Sequence, residues 1–332
     1  MKRLGLLVLV LAIAAGAAAG WAQWRYERDP IRFAQAPVRI TVAPGATLRS
    51  IGAQLRAAEV DVPDWSLALI GRWRDDLTRI KVGTYELKPS LTLKRLVDKL
   101  IVGDVLVSEV RFIEGWTFKQ MRAAMAANPD LLQDSATMSE SAILEAIDVD
   151  RSKAEGLFFP STYHFPVGSS DLLVFRQAHE LMKSNLDQAW EQREPGLPLK
   201  TSYEALVLAS VVEKETGTES DRGFVAGVFV NRLRINMMLQ SDPTTIYGMG
   251  DRFDGDLRRR DLRADTPYNT YTRKGLPPTP ISAPGRASIE AVLHPAKTKA
   301  LYFVARGDGS SQFSQTLAEH QAAVRRYQLK IK

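Results

Sequence analysis

One uninterrupted apolar segment at the N-terminus restricts this chain more than any other feature of its sequence. Residues 4–22 contain no charged side chain; Lys2 and Arg3 precede them, and Trp21 and Trp24 mark the far end. A helix of ~19 residues, rising ~1.5 Å per residue, covers the ~30 Å hydrocarbon core of a bilayer. The basic pair predicts a cytoplasmic N-terminus, and the two Trp side chains suit the opposite interface. The segment therefore predicts a single-pass transmembrane helix.

A cleaved signal peptide is the rival interpretation of this segment, because Ala17, Ala18 and Ala19 resemble a small-residue cleavage site. The length of the run and the flanking Trp residues favour a retained anchor, residues 1–25. Both interpretations export the rest of the chain. We expect a cell (inner) membrane protein whose bulk is periplasmic or extracytoplasmic.

Composition excludes several classes of function. The 332 residues contain no Cys, so no disulfide, thiol nucleophile or Cys-based metal site is available. The net charge of +6 is mild, and no polybasic run predicts a nucleic-acid partner. The four His residues show no metal-ligand spacing, and no phosphate-binding Gly loop occurs. We therefore expect no metal and no cofactor.

A strand followed by a capped helix recurs after the predicted linker, residues 26–37. Residues 38–42 alternate like a strand before a helix capped by Thr47, and residues 82–87 precede a second helix that opens at Thr92. A third, looser copy begins at residue 105. The first two copies, residues 38–103, resemble a LysM-like module, a common binder of sugar polymers. The predicted fold class is α+β, with an N-terminal transmembrane helix, this small module, a connecting region (104–198) and a larger C-terminal α+β domain (199–332).

Two carboxylates stand at the end of a strongly apolar helix, which we predict from Tyr203 to about Thr216 with Ser202 as its cap. Glu213 and Glu215 point about 200° apart at 100° per residue, so only one of them can face a given cleft. A carboxyl in an apolar cleft has a raised pKa, which suits a general acid at neutral pH. Helix geometry does not choose between the two residues.

Polar and aromatic side chains are grouped on the segments that follow. Amides and hydroxyls bond the ring hydroxyls of sugars, and Tyr faces pack on pyranose rings. The competing interpretation of each Asn or Asp is a turn bonded to its own backbone. The candidate sugar-binding residues are Asn231, Gln240, Asp242, Asn269 and Tyr271.

Several long motifs in this chain resemble the endolytic murein transglycosylase (YceG-like) family. They are EGLFFPSTY at 155–163, ASVVEKET at 209–216, VFVNRL at 228–233, LQSDPTTIYG at 239–248, YNTY at 268–271 with GLPP at 275–278, and LYFVA at 301–305. The N-terminal anchor and the LysM-like module also fit this family, so the resemblance covers nearly the whole chain.

The resemblance implies a membrane-anchored enzyme that cuts nascent peptidoglycan strands internally, with 199–332 as its catalytic domain. It places the catalytic acid on the second Glu of the EKET motif, Glu215. It also implies glycan-polymerising synthases as partners. Two departures are visible: Ser241 stands where the family usually has Thr, and SSQF at 310–313 lacks the usual Gly-His pair.

A lytic transglycosylase needs only one acid, whereas ordinary glycosidases flank the scissile bond with two carboxylates. The sequence leaves two alternatives. The first is a non-catalytic peptidoglycan-binding scaffold of the wall-synthesis machinery. The second is a hydrolytic muramidase that uses a further carboxylate, for which Asp242 is the candidate.

Overall fold

The protein is described from a computed structural model that covers residues 2–329 except 64–65, 68–69, 71 and 73–78. The remaining positions, which include small parts of the predicted 38–103 and 199–332 domains, lie outside the described residues. The chain divides into two compact units, Met1–Ser108 with His164–Ser169 and Glu109–Tyr163 with Ser170–Lys332. Most of the predicted connecting region therefore packs in the same unit as the predicted catalytic domain. The boundaries at 103/104 and 198/199 stay predictions.

Helices and strands alternate along the first part of the chain. In order they are α1 (Lys2–Arg28), β1 (Arg32–Phe33), β2 (Val38–Val42), α2 (Leu48–Ala57), β3 (Val60–Asp61), β4 (Gly83–Leu87), α3 (Leu93–Val102) and β5 (Val107–Arg111). Within α1, Gly5–Arg28 is long and apolar enough to cross a membrane, and no residue of its most apolar window is buried in the protein. Length and composition fit a membrane anchor and a signal sequence equally well.

The predicted strand–helix repeat is confirmed in its secondary structure. β2 buries alternate side chains and pairs antiparallel with β4, so that Ile40 lies opposite the fully buried Tyr85. Thr47 and Thr92 each accept a hydrogen bond from a backbone N–H in the first turn of α2 and α3, as predicted. Thr117 caps the next helix in the same way. Side chains of β2, β4, α2 and α3 form one apolar core.

The second part of the chain is mostly helical. Its elements are α4 (Phe118–Ala126), β6 (Leu131–Leu132), α5 (Glu140–Ala146), β7 (Thr162–Pro166), β8 (Ser169–Ser170), α6 (Asp171–Glu191), α7 (Ser202–Glu215), α8 (Glu219–Arg234), α9 (Asp242–Met249), α10 (Arg259–Arg263), α11 (Arg286–Leu293), β9 (Tyr302–Ala305), β10 (Ser311–Ser314) and α12 (Leu317–Tyr327). Among the described residues each sheet has two strands: β1–β3, β2–β4, β5–β7, β6–β8 and β9–β10. The mixed α+β class is confirmed.

Helix α7 is the central helix of the second unit. It packs against α6, α8 and α11, and residues 205–212 are all buried. A helix that is apolar on every side is stable only inside a core, and burial overrides the weak helix propensity of its Val residues. The predicted cap is wrong by one residue, because Thr201 rather than Ser202 accepts the Glu204 N–H. The helix ends at Glu215, where the candidate site begins.

Candidate functional site

Glu215 is the last residue of α7 and is half-buried. The Ser241 hydroxyl donates to Glu215 Oε1 at 2.6 Å. The pKa of the Glu215 carboxyl is raised to about 7, mainly by burial and also by nearby Asp242, whereas the Ser241 hydrogen bond and the Arg232 charge oppose this rise. A carboxyl with this pKa is well populated in both protonation states near neutral pH, so it can donate and accept a proton.

Glu213, the other candidate acid, has a structural partner. Its Oε2 accepts the Gly285 N–H at 3.0 Å, at the N-terminus of α11. Glu213 and Glu215 thus meet different segments of the chain, as their spacing on a helix requires. The carboxyl of Glu213 fastens α11 to α7, while that of Glu215 meets the polar loop before α9.

The loop that carries Ser241 is held by a compact set of hydrogen bonds. Ser241, only 1% exposed, donates its N–H to Thr270 Oγ1 at 3.0 Å. Thr244 Oγ1 lies 2.7 Å from Ser241 O and 2.8 Å from Thr270 Oγ1. Buried, fully bonded hydroxyls of this kind fix side-chain orientation. The Ser241 hydroxyl is therefore pre-aligned on Glu215.

Gln240, Asp242 and Tyr271 lie beside this hydroxyl. Gln240 is exposed and has a φ of +51°, a left-handed conformation that is uncommon outside Gly and often marks functional loops. The Tyr271 hydroxyl donates to Asp242 Oδ1 at 2.6 Å, and burial, followed by Asp242 and Glu215, raises the pKa of Tyr271. The structure thus brings Asp242 and Tyr271 together with Glu215, and Gln240 directly precedes Ser241 in the same loop.

The amides of the two predicted Asn residues donate to backbone carbonyls of the protein. Asn269 is fully buried, and its amide donates to the carbonyls of Asp261, Leu262 and Ala264. Asn231 donates to two carbonyls of the segment 298–300. Asn269 bonds within its own loop, as the turn-forming alternative describes, and sugar binding by the two residues stays a prediction.

Replacing Asn269 by Ala should lower the free energy of unfolding by about 3 kcal/mol, because three partly buried carbonyls and the Tyr271 N–H, which donates to Asn269 Oδ1, lose their partner. Denaturant-induced unfolding in detergent measures this change. Asn185→Ala, at a partly exposed position of α6, is the matched control and should change the unfolding free energy by less than about 0.5 kcal/mol. Equal effects of the two substitutions would argue against the structural role of Asn269.

Comparison with known proteins places the chain in a family. The model of the YceG-like family matches residues 40–326. This chain belongs to the YceG-like family. It is 30% identical, over 74% of its length and 73% of the relative's, to a Bacillus subtilis protein named endolytic murein transglycosylase. A Streptococcus pneumoniae protein of the same name is 27% identical over 84% of this chain and 56% of its own length. The resemblance seen in the sequence is confirmed.

A solved structure supports the fold of this YceG-like chain. A crystal structure of a yceG-like protein from Listeria monocytogenes is 29% identical and gives a TM-score of 0.55. The match covers 86% of this chain and 98% of that one. The mixed α+β architecture is therefore shared with a member of the YceG-like family.

Arg232 is the site residue that sequence reasoning missed in this YceG-like chain. It is 6% exposed; Nε donates to Leu301 O at 2.7 Å and Nη1 donates to Leu239 O. Its guanidinium lies 5.4 Å from the Tyr302 ring centroid, and its charge favours the ionised form of Glu215. The sequence feature that could have identified Arg232 is a charged residue inside the apolar run VFVNRL, since a buried charge rarely lacks a partner.

Two other expectations concern groups of residues. Among the described residues, no cluster of three or more His, Asp or Glu side chains could hold a metal ion. Residues 311–314, where the Gly-His pair was missing, form β10, and Gln312 accepts a hydrogen bond from Arg306.

Proposed function

We propose that this chain is an endolytic peptidoglycan lytic transglycosylase that cleaves the MurNAc–GlcNAc β-1,4 bond of nascent glycan strands. Glu215 is its general acid/base, and the product carries a 1,6-anhydro-MurNAc end. Relatives named endolytic murein transglycosylase support the enzyme class. The observation that carries the mechanism is the Glu215 carboxyl, half-buried at the end of an apolar helix, with a pKa raised to about 7.

The first step breaks the glycosidic bond. Protonated Glu215 gives its proton to the bridging oxygen, and the C1–O bond breaks as GlcNAc leaves with a free 4-hydroxyl. Positive charge then develops at C1 of MurNAc, and the carboxylate just formed is the nearest negative group. Because Arg232 and the Ser241 hydroxyl stabilise the ionised form of Glu215, they assist this proton transfer.

The second step closes the ring within the substrate. The Glu215 carboxylate takes the proton of the MurNAc C6 hydroxyl while O6 attacks C1 and forms the anhydro bridge. One C–O bond has broken and one has formed, and the carboxyl is protonated again, so the enzyme needs neither water nor a nucleophile of its own. Holding O6 near C1 is a positioning task, which falls to the exposed Gln240 and the Asp242–Tyr271 pair.

Ser241→Ala should lower the rate of glycan cleavage about tenfold and shift the pH dependence. The lost hydrogen bond opposes the rise in the Glu215 pKa, so without it that pKa rises further. The acid form then persists to higher pH, and the alkaline limb of the pH–rate profile should move upward. The measurement is the release of anhydro-ended fragments from isolated sacculi across pH.

Ser241→Thr is the matched control for the alanine variant, since it keeps a hydroxyl at the same atom. It should retain most of the activity and leave the alkaline limb in place. An alanine variant whose limb stays where the wild type has it would contradict the hydrogen bond's role in tuning Glu215.

The N-terminal helix serves, in this proposal, as a single-pass anchor with Lys2 and Arg3 in the cytoplasm and the rest of the chain in the periplasm or outside the cell. After the 26–37 linker comes the LysM-like module (38–103), which binds glycan or spaces the active site from the bilayer, and residues 104–198 connect it to the catalytic domain (199–332). The strand–helix units and β2–β4 pairing support the module. Peptidoglycan synthases are the proposed partners.

Digestion of isolated sacculi by the full-length protein in detergent tests the proposal. Release of anhydro-ended fragments supports it. Sacculus binding without release favours the scaffold alternative. Asp242, which is exposed beside Glu215 and bonded to Tyr271, is the second carboxylate that the hydrolytic alternative requires. Products with reducing ends would favour hydrolysis.

A further inference from the structure

A cleft where α6, α8 and α11 meet takes no part in the proposed chemistry. This α6–α8–α11 cleft has a volume of about 480 Å³, within the range of pockets that hold small molecules. It is bounded by the end of α6, the first turn of α8 and one face of α11. Its charged and amide lining residues are Gln188, Gln192, Glu219, Arg222, Arg286 and Glu290. Such a lining suits a polar ligand.

Arg222 lines this cleft with a guanidinium that is not fully hydrogen-bonded. The residue is half-buried, and its Nε is buried with no hydrogen-bond partner among the described residues. Leaving a buried donor unpaired costs stability, so retaining one is favoured where a ligand pairs with that group. Arg286, by contrast, already donates to Glu290 along α11 at 2.6 Å. Arg222 is therefore the better placed of the two cations to bind an anionic group.

Carboxylates line the same cleft beside the two cations. Glu219 is exposed in the first turn of α8, three residues before Arg222. Residues three apart lie on the same face of a helix, so a carboxylate and a guanidinium stand side by side on this wall. A ligand that carries a carboxylate and an ammonium group would find an opposite charge for each. The charges of the cleft therefore fit a zwitterionic amino-acid residue better than a neutral sugar.

The cleft begins next to the end of α7 that carries Glu215. Glu219 follows Glu215 by four residues, so their Cα atoms lie at most ~14 Å apart. Arg286 follows Gly285, whose N–H donates to Glu213 on the last turn of α7. An extended stem peptide of five residues spans ~17 Å. The peptide of a MurNAc residue held at Glu215 is therefore long enough to reach the cleft.

We infer that the α6–α8–α11 cleft binds the stem peptide of the peptidoglycan strand, with Arg222 on a carboxylate of the peptide and Glu219 on the free amine of its diamino acid. This inference rests on the proposed function, since it names the part of the substrate that the glycan mechanism leaves unbound. Binding of the peptide alone needs no turnover, so it can be measured separately from cleavage.

The first experiment titrates the full-length protein in detergent with a free stem pentapeptide that contains a diamino acid, followed by calorimetry and by hydrogen–deuterium exchange over 219–223 and 286–294. We expect the peptide to slow exchange in both segments. Arg222→Met should bind it about tenfold more weakly, the loss expected for a hydrogen bond between charged groups. Arg234→Met, exposed at the opposite end of α8, is the matched control and should bind like the wild type.

A second variant examines the amine and also decides the test if Arg222→Met does not fold. Glu219→Gln should weaken binding of the pentapeptide several-fold. Acetylation of the diamino acid removes the ammonium charge, so the acetylated peptide should bind equally to the wild type and to Glu219→Gln. The cleavage assay then compares strands that keep their peptides with strands stripped by an amidase. The wild type should have about a tenfold lower KM for the first, and Arg222→Met should lose this preference.

The outcomes separate this inference from the proposed function. A pentapeptide that does not bind, or that binds equally to the wild type, Arg222→Met and Glu219→Gln, would overturn the inference. An equal loss of cleavage on both kinds of strand would also overturn it, since the cleft would then bind the glycan backbone. If the peptide binds as expected but the wild type releases no fragments from either strand, the peptide site stands and the proposed function falls.

Discussion

Glu215→Gln should reduce the release of anhydro-ended fragments about 1,000-fold, the range of effect associated with losing a general acid/base. Gln has the shape of Glu, and its oxygen still accepts from Ser241, so the fold and sacculus binding should persist. The amide neither donates a proton of useful acidity nor takes one up. Removing a carboxyl whose pKa burial has raised also relieves a desolvation cost, so the variant should be no less stable than the wild type.

Glu213→Gln is the matched control, two residues earlier on the same helix. Its carboxamide oxygen can still accept the Gly285 N–H, so the contact between α7 and α11 survives. This variant should keep activity within a few-fold of the wild type. The reverse pattern, an inactive Glu213→Gln variant and an active Glu215→Gln variant, would show that Glu213 rather than Glu215 is the general acid.

Arg232→Met should lower cleavage about 100-fold and the free energy of unfolding by about 3 kcal/mol, because the Leu239 and Leu301 carbonyls each lose a charged donor. Leu239 lies two residues before Ser241, so the loop that carries Ser241 loosens as well. The positive charge favours the ionised form of Glu215, so its removal should raise the pKa of Glu215 and move the alkaline limb upward. Denaturant unfolding and a pH–rate profile measure the two effects.

Arg234→Met is the control for a change of charge at the end of the same helix, since Arg234 is exposed and makes only long contacts of 3.4 Å. It should alter stability by less than about 0.5 kcal/mol. Arg232→Lys keeps the charge but not the forked guanidinium that reaches two carbonyls. Its activity and stability should therefore lie between those of the wild type and of Arg232→Met. If Arg232→Met is as active and as stable as the Arg234→Met control, Arg232 has no role in the site.

Local features of the sequence predicted the local features of the fold. Thr47 and Thr92 could be recognised as caps because the bond each makes is three residues away. Strand β2 could be predicted because apolar and polar residues alternate along it, and the apolar ones are buried in the structure. The cap of α7 was predicted one residue away from its observed position, because Thr201 and Ser202 are both good caps and only the observed bond distinguishes them.

The site depended on contacts between distant parts of the chain. The choice between Glu213 and Glu215 was not decided by helix geometry because their partners, Gly285 and Ser241, come from later segments. Asn269 and Gln240 are both amides on polar loops, yet one is buried in a turn and the other is exposed at the site. Sequence pattern records the residue type at such positions but not which carbonyl it meets.

The most direct test of cleavage by the glycan's own C6 hydroxyl is mass spectrometry of the fragments that the wild-type protein releases from sacculi in heavy-oxygen water. Intramolecular attack predicts anhydro-MurNAc ends that carry no label. Reducing ends that carry the label, each heavier than the anhydro form by a full water molecule, would show that water is the nucleophile and would contradict a mechanism with Glu215 as its single acid/base.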